Sequence, residues 1–394
     1  MILTNKQQQG LKVAVARFNE RQPWTCISGY AGSGKSTLVK FIIAALNVSP
    51  EEVCYIAFTG KAATVLQQKG CANAITAHKL LYYSKQMPNG KYMHVARKSL
   101  EGNYKIIVVD EVSMLPKDMW ELLLKHRVYV LALGDPMQLP PVDKNQDNGV
   151  LEKPHVFLDE VMRQAQNSEI IRLSMHVREG KPLSTFKCEG AQVKIFRPNE
   201  LVTGMYEWAD QILCATNNKR NEINNAIRKM RGYGEEPQEG DKIISLTNHW
   251  EFFSNSGEWP LTNGQIGTLG YHYIEKHSLP RYITEQPVEY MYANLEIDDD
   301  EFSMIPIDYN YLKIGETTLT PKQNFQLLKN KNCGLEPPYD FAYGYAITCH
   351  KAQGSEWEKV LVFEERFPFD AEEHKRWLYT ACTRASEKLV VITK

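Results

Sequence analysis

The sequence predicts an α/β protein of two parallel-sheet units, the second interrupted by a small β domain. Three observations carry this. In the first third, short apolar runs alternate with helix-like segments, at Trp24–Ser28, Val53–Phe58, Lys105–Val109 and Val128–Leu133. A second α/β pattern starts near residue 158, with the strand-like run Ile212–Thr216, and resumes after Pro337-Pro338 in YGYAITCH, VLVF and KLVVIT. Between these stretches, residues 241–338 are rich in Tyr, Trp, Asn and Gly, with short β runs such as DKIISL and GQIGTLGY and the acidic turn DDDE. Strands that read as continuous apolar runs are buried on both faces, as in a parallel sheet covered by helices. The expected units are therefore 1–157, then 158–240 joined to 339–394, with 241–338 as the inserted β domain. Within the first unit, 84–103 reads as a small β-hairpin excursion, because Asn89-Gly90 is a strong turn signal.

Bulk properties narrow the class without deciding it. A chain of 394 residues is long enough for two or three domains. Its 43% hydrophobic and 24% charged residues are those of a soluble globular protein. No run of 18 apolar residues exists, so no membrane span is expected. The start, MILTNKQQQG, has no apolar signal core, so export is not expected and a cytoplasmic location is. The eight cysteines are scattered and form no CxxC pair, which argues for reduced thiols against zinc or disulfide frameworks. A net charge of −1 neither supports nor opposes a nucleic-acid partner, because a channel needs basic residues along one groove, not a basic average.

The first predicted strand runs into Gly29-Tyr30-Ala31-Gly32-Ser33-Gly34-Lys35-Ser36-Thr37, which fits G-x-x-x-x-G-K-[ST] and opens the apolar helix LVKFIIAAL. That strand-loop-helix context is what a phosphate-binding loop requires. Glycines at 29, 32 and 34 let backbone N–H groups close around phosphates, and the helix N-terminus adds a favourable dipole. Lys35 is placed to reach the β- and γ-phosphates of ATP, and the Ser36 hydroxyl to ligate Mg²⁺.

The third strand ends in Asp110-Glu111. An acid after an apolar strand can hold Mg²⁺, and its neighbour can orient an attacking water. Asp110 is assigned to the metal and Glu111 to the water. A helix-capping pair is the plain alternative, and the upstream phosphate loop weighs against it. The fourth strand ends in GDPMQLPP, where Gln138 is either a γ-phosphate sensor or part of a proline-stiffened loop.

Taken together these residues resemble superfamily 1 helicases of subgroup B, specifically the RecD and Dda type. The resemblance covers nearly the whole chain in the family's order. Leu3-Thr4-Asn5-Lys6-Gln7 looks like the Q motif, and the phosphate loop like motif I. Phe58-Thr59-Gly60-Lys61-Ala62-Ala63 resembles motif Ia. Thr76-Ala77-His78-Lys79-Leu80-Leu81 is similar to motif Ib, with Ala77 in place of the usual Ile. Asp110 to Met114 looks like motif II and GDPMQLPPV like motif III. Val161-Met162-Arg163-Gln164 resembles motif IV, Tyr345 to Glu356 motif V, and Tyr379-Thr-Ala-Cys-Thr-Arg384-Ala385 motif VI.

The resemblance implies two RecA-like P-loop NTPase domains with ATP between them, a β-hairpin insertion in the first acting as a strand-separating pin, and an SH3-like β insertion in the second. Asn263-Gly264-Gln265-Ile266-Gly267 is similar to the Asn-Gly turn of that SH3-like domain. Gln7 would read the adenine. Gly29, Gly32, Gly34, Lys35, Ser36, Thr37, Gly354 and Glu356 would contact the nucleotide. Glu111 and Gln138 would act on the γ-phosphate, with Arg163 and Arg384 as arginine fingers in cis. Thr59, Thr76 and His78 in one domain, and Thr348 and His350 in the other, would contact single-stranded DNA.

The resulting expectation is an ATP- and Mg²⁺-dependent DNA helicase of the compact Dda kind. It would move 5′-to-3′ and act at duplex junctions. A monomer is the default, with a single-strand-binding or replication protein as candidate partner. A single-stranded-DNA translocase that displaces proteins without useful unwinding would share every motif, and only the hairpin region would tell the two apart. A P-loop ATPase or small-molecule kinase would need neither a second half nor two fingers. RNA as the track stays open.

Overall fold

A computed structural model of the chain describes residues 3–86, 92–140, 144–160, 167–257, 260–297, 300–329, 334–365 and 370–394. The chain divides into two compact units. One holds residues to Leu81, Ala96–Thr216 and Ile347–Lys394, and the other holds Tyr82–Val95 and Asn217–Ala346.

The first unit contains two parallel sheets. The six strands of one run in the order Ala74–Thr76, Val53–Ala57, Ile106–Val109, Tyr129–Gly134, Trp24–Gly29 and Val156–Leu158. Every adjacent pair is parallel. The four runs legible in the sequence are its central strands. The two edge strands, of three residues each, are too short to show a period. The helix Asn5–Asn19 starts at a capping box between Thr4 and Gln7, and the helix Lys35–Ala45 follows the phosphate loop. Their apolar residues Ala14, Leu38, Val39 and Ile42 pack with Ile27, Val108, Leu131 and Leu133 of the sheet. Burying side chains of this size contributes roughly 1.5–3 kcal/mol each.

The second sheet runs Ala346–Thr348, Gln211–Cys214, Trp357–Phe363, Ala385–Ile392 and Val193–Phe196. Its last four strands are mutually parallel. The helices Glu169–Arg178 and Ala371–Cys382 belong to this half and pack on each other. Glu169 fixes the entry to its edge strand: its carboxylate accepts the backbone N–H groups of Glu189, Gly190, Gln192 and Val193 at 2.7–3.2 Å.

The other unit is built on an antiparallel sheet in the order Asp300–Asp308, Val288–Ile297, Ile266–His277, Lys242–Ser245 and Phe341–Tyr343. Its return lies beyond the expected limit of 338. The run YGYAITCH splits at Gly344: Phe341–Tyr343 pairs with Lys242–Ser245, and Ala346–Thr348 joins the parallel sheet. A Cβ on Gly344 would lie 3.2 Å from the Ile243 carbonyl carbon, so the crossing strand passes close to its neighbour's backbone. The helix Asn217–Met230 groups with this unit and is tied to it by a buried ion pair, Arg228 Nε to Asp241 Oδ1 at 3.0 Å. The expected hairpin at 84–103 is seen as paired strands at Tyr82–Gln86 and Tyr92–Ala96 in the same unit. Its Asn89-Gly90 turn lies outside the described residues.

No helix among the described residues is long and apolar enough to cross a membrane. The described cysteines are free thiols, buried except Cys71 and Cys188, while Cys333 lies outside the described residues.

Candidate functional site

A cavity of about 540 Å³ opens at the carboxyl ends of the six-stranded sheet. Ligands in open parallel sheets bind there because loops, not strands, close that edge. From this sheet's loops come Ala31, Lys35, Ser36, Asp110, Glu111 and Gln138, and from the other sheet's loops come Gly354, Glu356 and Arg384.

The loop 29–36 has the torsions a phosphate cradle needs. Gly32 and Gly34 lie at φ 74° and 79°, where a side chain would be strained. A Cβ on Gly29 would stand 2.7 Å from both the Leu158 carbonyl oxygen and Ser33 Oγ. Lys35 Nζ donates to the carbonyls of Gly29 (2.7 Å) and Tyr30 (3.1 Å), which holds its charge across the loop. Ser36 is an exposed side chain on the cavity wall, and Thr37 lies outside the lining.

Gln7 does not line the cavity. It is 1% exposed, its Oε1 accepts the Thr4 backbone N–H at 3.0 Å, and its Nε2 donates to the Ser33 carbonyl at 3.2 Å. In this arrangement it ties the first helix to the phosphate loop, where the resemblance implied an adenine reader.

Burial, with Glu111 beside it and Lys35 opposing, pushes the Asp110 carboxyl up from 3.8 to about 6. A carboxylate so destabilised, with the Ser36 hydroxyl on the same wall, is the oxygen donor set that Mg²⁺ takes. Glu111 sits at φ 54°, ψ 58°, a left-handed backbone that non-glycine residues seldom hold. Strain of this kind costs on the order of 1–3 kcal/mol and persists where the surroundings over-determine it. Its Oε1 accepts from Gln138 Nε2 at 2.9 Å, while its Oε2 is buried with no hydrogen-bond partner. One oxygen is thus fixed by the amide and the other is available to a water.

Arg384 is 6% exposed on the opposite wall. It donates to the Thr380 carbonyl (3.0 Å), the Ser355 carbonyl (3.3 Å) and Thr383 Oγ1 (3.1 Å). Each Nη has a second N–H beyond these bonds. Glu356 forms an ion pair with Lys69 at 3.0 Å. Gly354, at φ 74°, comes so near the first half that a Cβ would lie 3.3 Å from the Ala62 Cβ and 3.7 Å from Thr59 Oγ1. Arg163 lies outside the described residues.

Two further residues escaped the sequence reading although both lie in quoted motifs. Tyr379 donates to Asp135 Oδ2 at 2.6 Å and accepts the Ala31 backbone N–H at 2.8 Å. Both side chains are 1% exposed. Burial raises both groups' pKa values, and the Asp135 charge adds to the effect on the tyrosine.

Of the residues matched to a DNA track, Thr76 and Thr348 end strands, Thr59 and His350 lie just beyond strands, and His78 is in the helix Ala77–Leu81. Thr59 Oγ1 accepts from the Ala62 N–H and Thr76 Oγ1 from the Lys79 N–H, so both hydroxyls cap helix starts. The His78 ring lies 5.8 Å from that of Phe58. Thr348 and His350 flank a tight turn closed by the Lys351 and Ala352 N–H groups on the Thr348 carbonyl. Burial lowers the His350 pKa, so the ring is neutral at pH 7.

A model described as "AAA domain" matches residues 3–195, and one described as "UvrD-like helicase C-terminal domain" matches 343–392. The chain is 26% identical over 92% of its length to the ATP-dependent RecD2 DNA helicase of Deinococcus radiodurans, of which it spans only 46%. It is 22% identical to the ATP-dependent DNA helicase dda of phage T4, with 97% of each chain covered. Among solved structures, Pif1 helicases at forked duplex DNA align with a TM-score of 0.54 at 17% identity, covering 99% of this chain and 92% of the other. A Bacteroides Pif1 helicase in complex with ADP-AlF3 and single-stranded DNA aligns at 0.51 and 18% identity, with the same coverage. These structural likenesses establish the fold of two α/β P-loop halves. With residues from both halves lining one cavity and relatives matched across nearly its whole length, the chain is similar to superfamily 1 helicases of the RecD and Dda type.

Proposed function

We propose that the chain is an ATP-dependent DNA helicase that moves 5′-to-3′ along single-stranded DNA and unwinds duplex at junctions. The observation that carries this is the two-sided cavity: Lys35, Ser36, Asp110, Glu111 and Gln138 from one parallel sheet face Arg384 and Glu356 from the other. A site divided between two halves makes hydrolysis depend on their closure, which is what a motor needs.

In this reading Lys35 and the loop N–H groups hold the phosphates. Gln138 orients the Glu111 carboxylate, whose second oxygen accepts a proton from the attacking water. Arg384 meets the charge that spreads over the transferred phosphoryl oxygens. Mg²⁺, held by Ser36 and Asp110, would neutralise charge on the β- and γ-oxygens. Thr59, Thr76 and His78 on one half and Thr348 and His350 on the other would hold the strand by its phosphates without reading sequence. Gln7 keeps the phosphate loop in place while the halves move. The domain limits 1–157, 158–240 with 339–394, and 241–338 serve for truncation only with the helix Asn217–Met230 and the return strand Phe341–Tyr343 both kept on the insert.

The test is ATP hydrolysis with and without single-stranded DNA, paired with unwinding of duplexes carrying a 5′ or a 3′ tail. Strong stimulation and unwinding from the 5′ tail alone support the proposal. Stimulation without unwinding would assign a translocase, and no stimulation by DNA or RNA would leave only the nucleotide site.

A further inference from the structure

We propose that Tyr379 is a positioning residue for ATP hydrolysis, setting the loop Asp135–Leu139 and through it the Glu111 carboxylate. The inference rests on the ATPase reading and deepens it.

The loop Asp135–Leu139 leaves the strand Tyr129–Gly134 of one half and is gripped at three points by the other. Tyr379 Oη donates to Asp135 Oδ2 at 2.6 Å. Thr380 Oγ1 accepts the Leu139 N–H at 2.9 Å, and Gln353 Nε2 donates to the Leu139 carbonyl at 2.7 Å. Between these grips stands Gln138, whose amide fixes Glu111 Oε1. The same tyrosine oxygen accepts the Ala31 N–H of the phosphate loop at 2.8 Å. One hydroxyl therefore joins the phosphate loop and the Gln138 loop to a helix of the second half. Next to it, the Arg178 guanidinium lies 3.8 Å over the Tyr30 ring, a second contact from that half to the same loop.

The chemistry suits a fixed joint. The hydroxyl donates to a carboxylate and accepts from an amide, using both capacities at once. Tyr379 and Asp135 are both shielded from water, where a hydrogen bond to a charged acceptor is strong and geometrically demanding, while Ala31 stands at the cavity wall. Removing only the hydroxyl keeps the buried ring and its packing. It frees Asp135 to turn and lets Gln138 drift from Glu111. The other N–H groups of the phosphate loop still bind nucleotide, so loss falls on turnover and not on affinity.

The experiment compares wild type, Tyr379→Phe, Asp135→Asn and the double variant by steady-state ATP hydrolysis with single-stranded DNA, alongside thermal unfolding. The expected result for Tyr379→Phe is a kcat about tenfold lower, the equivalent of about 1.4 kcal/mol in barrier. The KM for ATP and the unfolding midpoint stay near wild type. The double variant is no slower than the worse single one, because both act on one joint. An unchanged kcat would overturn the proposal. So would parallel losses in kcat, KM and midpoint, which would make the tyrosine a strut of the core. A wild-type chain without ATPase activity would instead sink the underlying reading.

Discussion

Gln138 donates to one oxygen of Glu111 at 2.9 Å, and the other oxygen of Glu111 is buried without a partner. A carboxylate in a strained backbone conformation, half satisfied and facing a cavity, is arranged to take a water. Glu111→Gln is therefore expected to bind ATP and to turn over at least about 100-fold more slowly, the lower range for loss of a general base. Fluorescent-nucleotide titration and steady-state kinetics together check this. Turnover near wild type would remove Glu111 from the mechanism.

Arg384 should behave differently, since it comes from the second half. Arg384→Ala is expected to keep single-stranded DNA binding while losing about 10³–10⁵ in hydrolysis, the range for an arginine finger. The measurements are kcat and DNA anisotropy on one preparation. Normal hydrolysis would refute the finger assignment.

The raised pKa of Asp110, about 6, predicts a pH dependence. The folded site holds this proton more tightly than the unfolded chain, whose value is near 3.8. Its contribution to stability is thus complete below that lower value and lost as pH rises through about 6. Metal binding needs the ionised form and restores what is lost. Mg²⁺-nucleotide affinity is expected to rise from about pH 5 to about pH 7, and Asp110→Asn to flatten the curve. A flat wild-type curve would contradict the metal assignment.

Because burial keeps His350 neutral at pH 7, its proposed DNA contact is a hydrogen bond and not a charge. His350→Ala should weaken single-strand binding without altering the slope of log affinity against log salt, since no counterion is released on its account. His78→Ala should likewise weaken binding more than basal hydrolysis. Wild-type affinity in both variants would sink the DNA-track assignment.

Glu169 gives a stability prediction separate from function. Burial acts to raise its pKa, and four backbone donors outweigh that and hold it below the ordinary 4.5. The stabilisation is present above about pH 4.5 and lost as pH falls through the lowered value. Glu169→Gln is expected to cost about 2 kcal/mol at neutral pH and to flatten the acid limb of the stability curve. Chemical denaturation at several pH values checks both, and an unchanged midpoint at pH 7 would show that the amide serves equally well.

What the sequence by itself determined is local. Gly29 to Ser36 declares a phosphate loop because torsions, strand and helix all lie within a few residues of it. Asp110-Glu111 and the central strands are legible for the same reason: a buried parallel strand must be apolar throughout. The edge strands Ala74–Thr76, Val156–Leu158 and Val193–Phe196 were not, because three or four residues carry no period. The resemblance supplied the order of the halves. Only the tertiary structure decided which groups meet. Tyr379 and Asp135 are 244 residues apart in the chain, and nothing in either segment names the other. Gln7 turns inward to the Ser33 carbonyl, and Phe341–Tyr343 leaves its run for the insert's sheet. Such pairings depend on how helices and loops of separate sheets pack, where a buried polar group takes whatever partner the close-packed surroundings bring within reach.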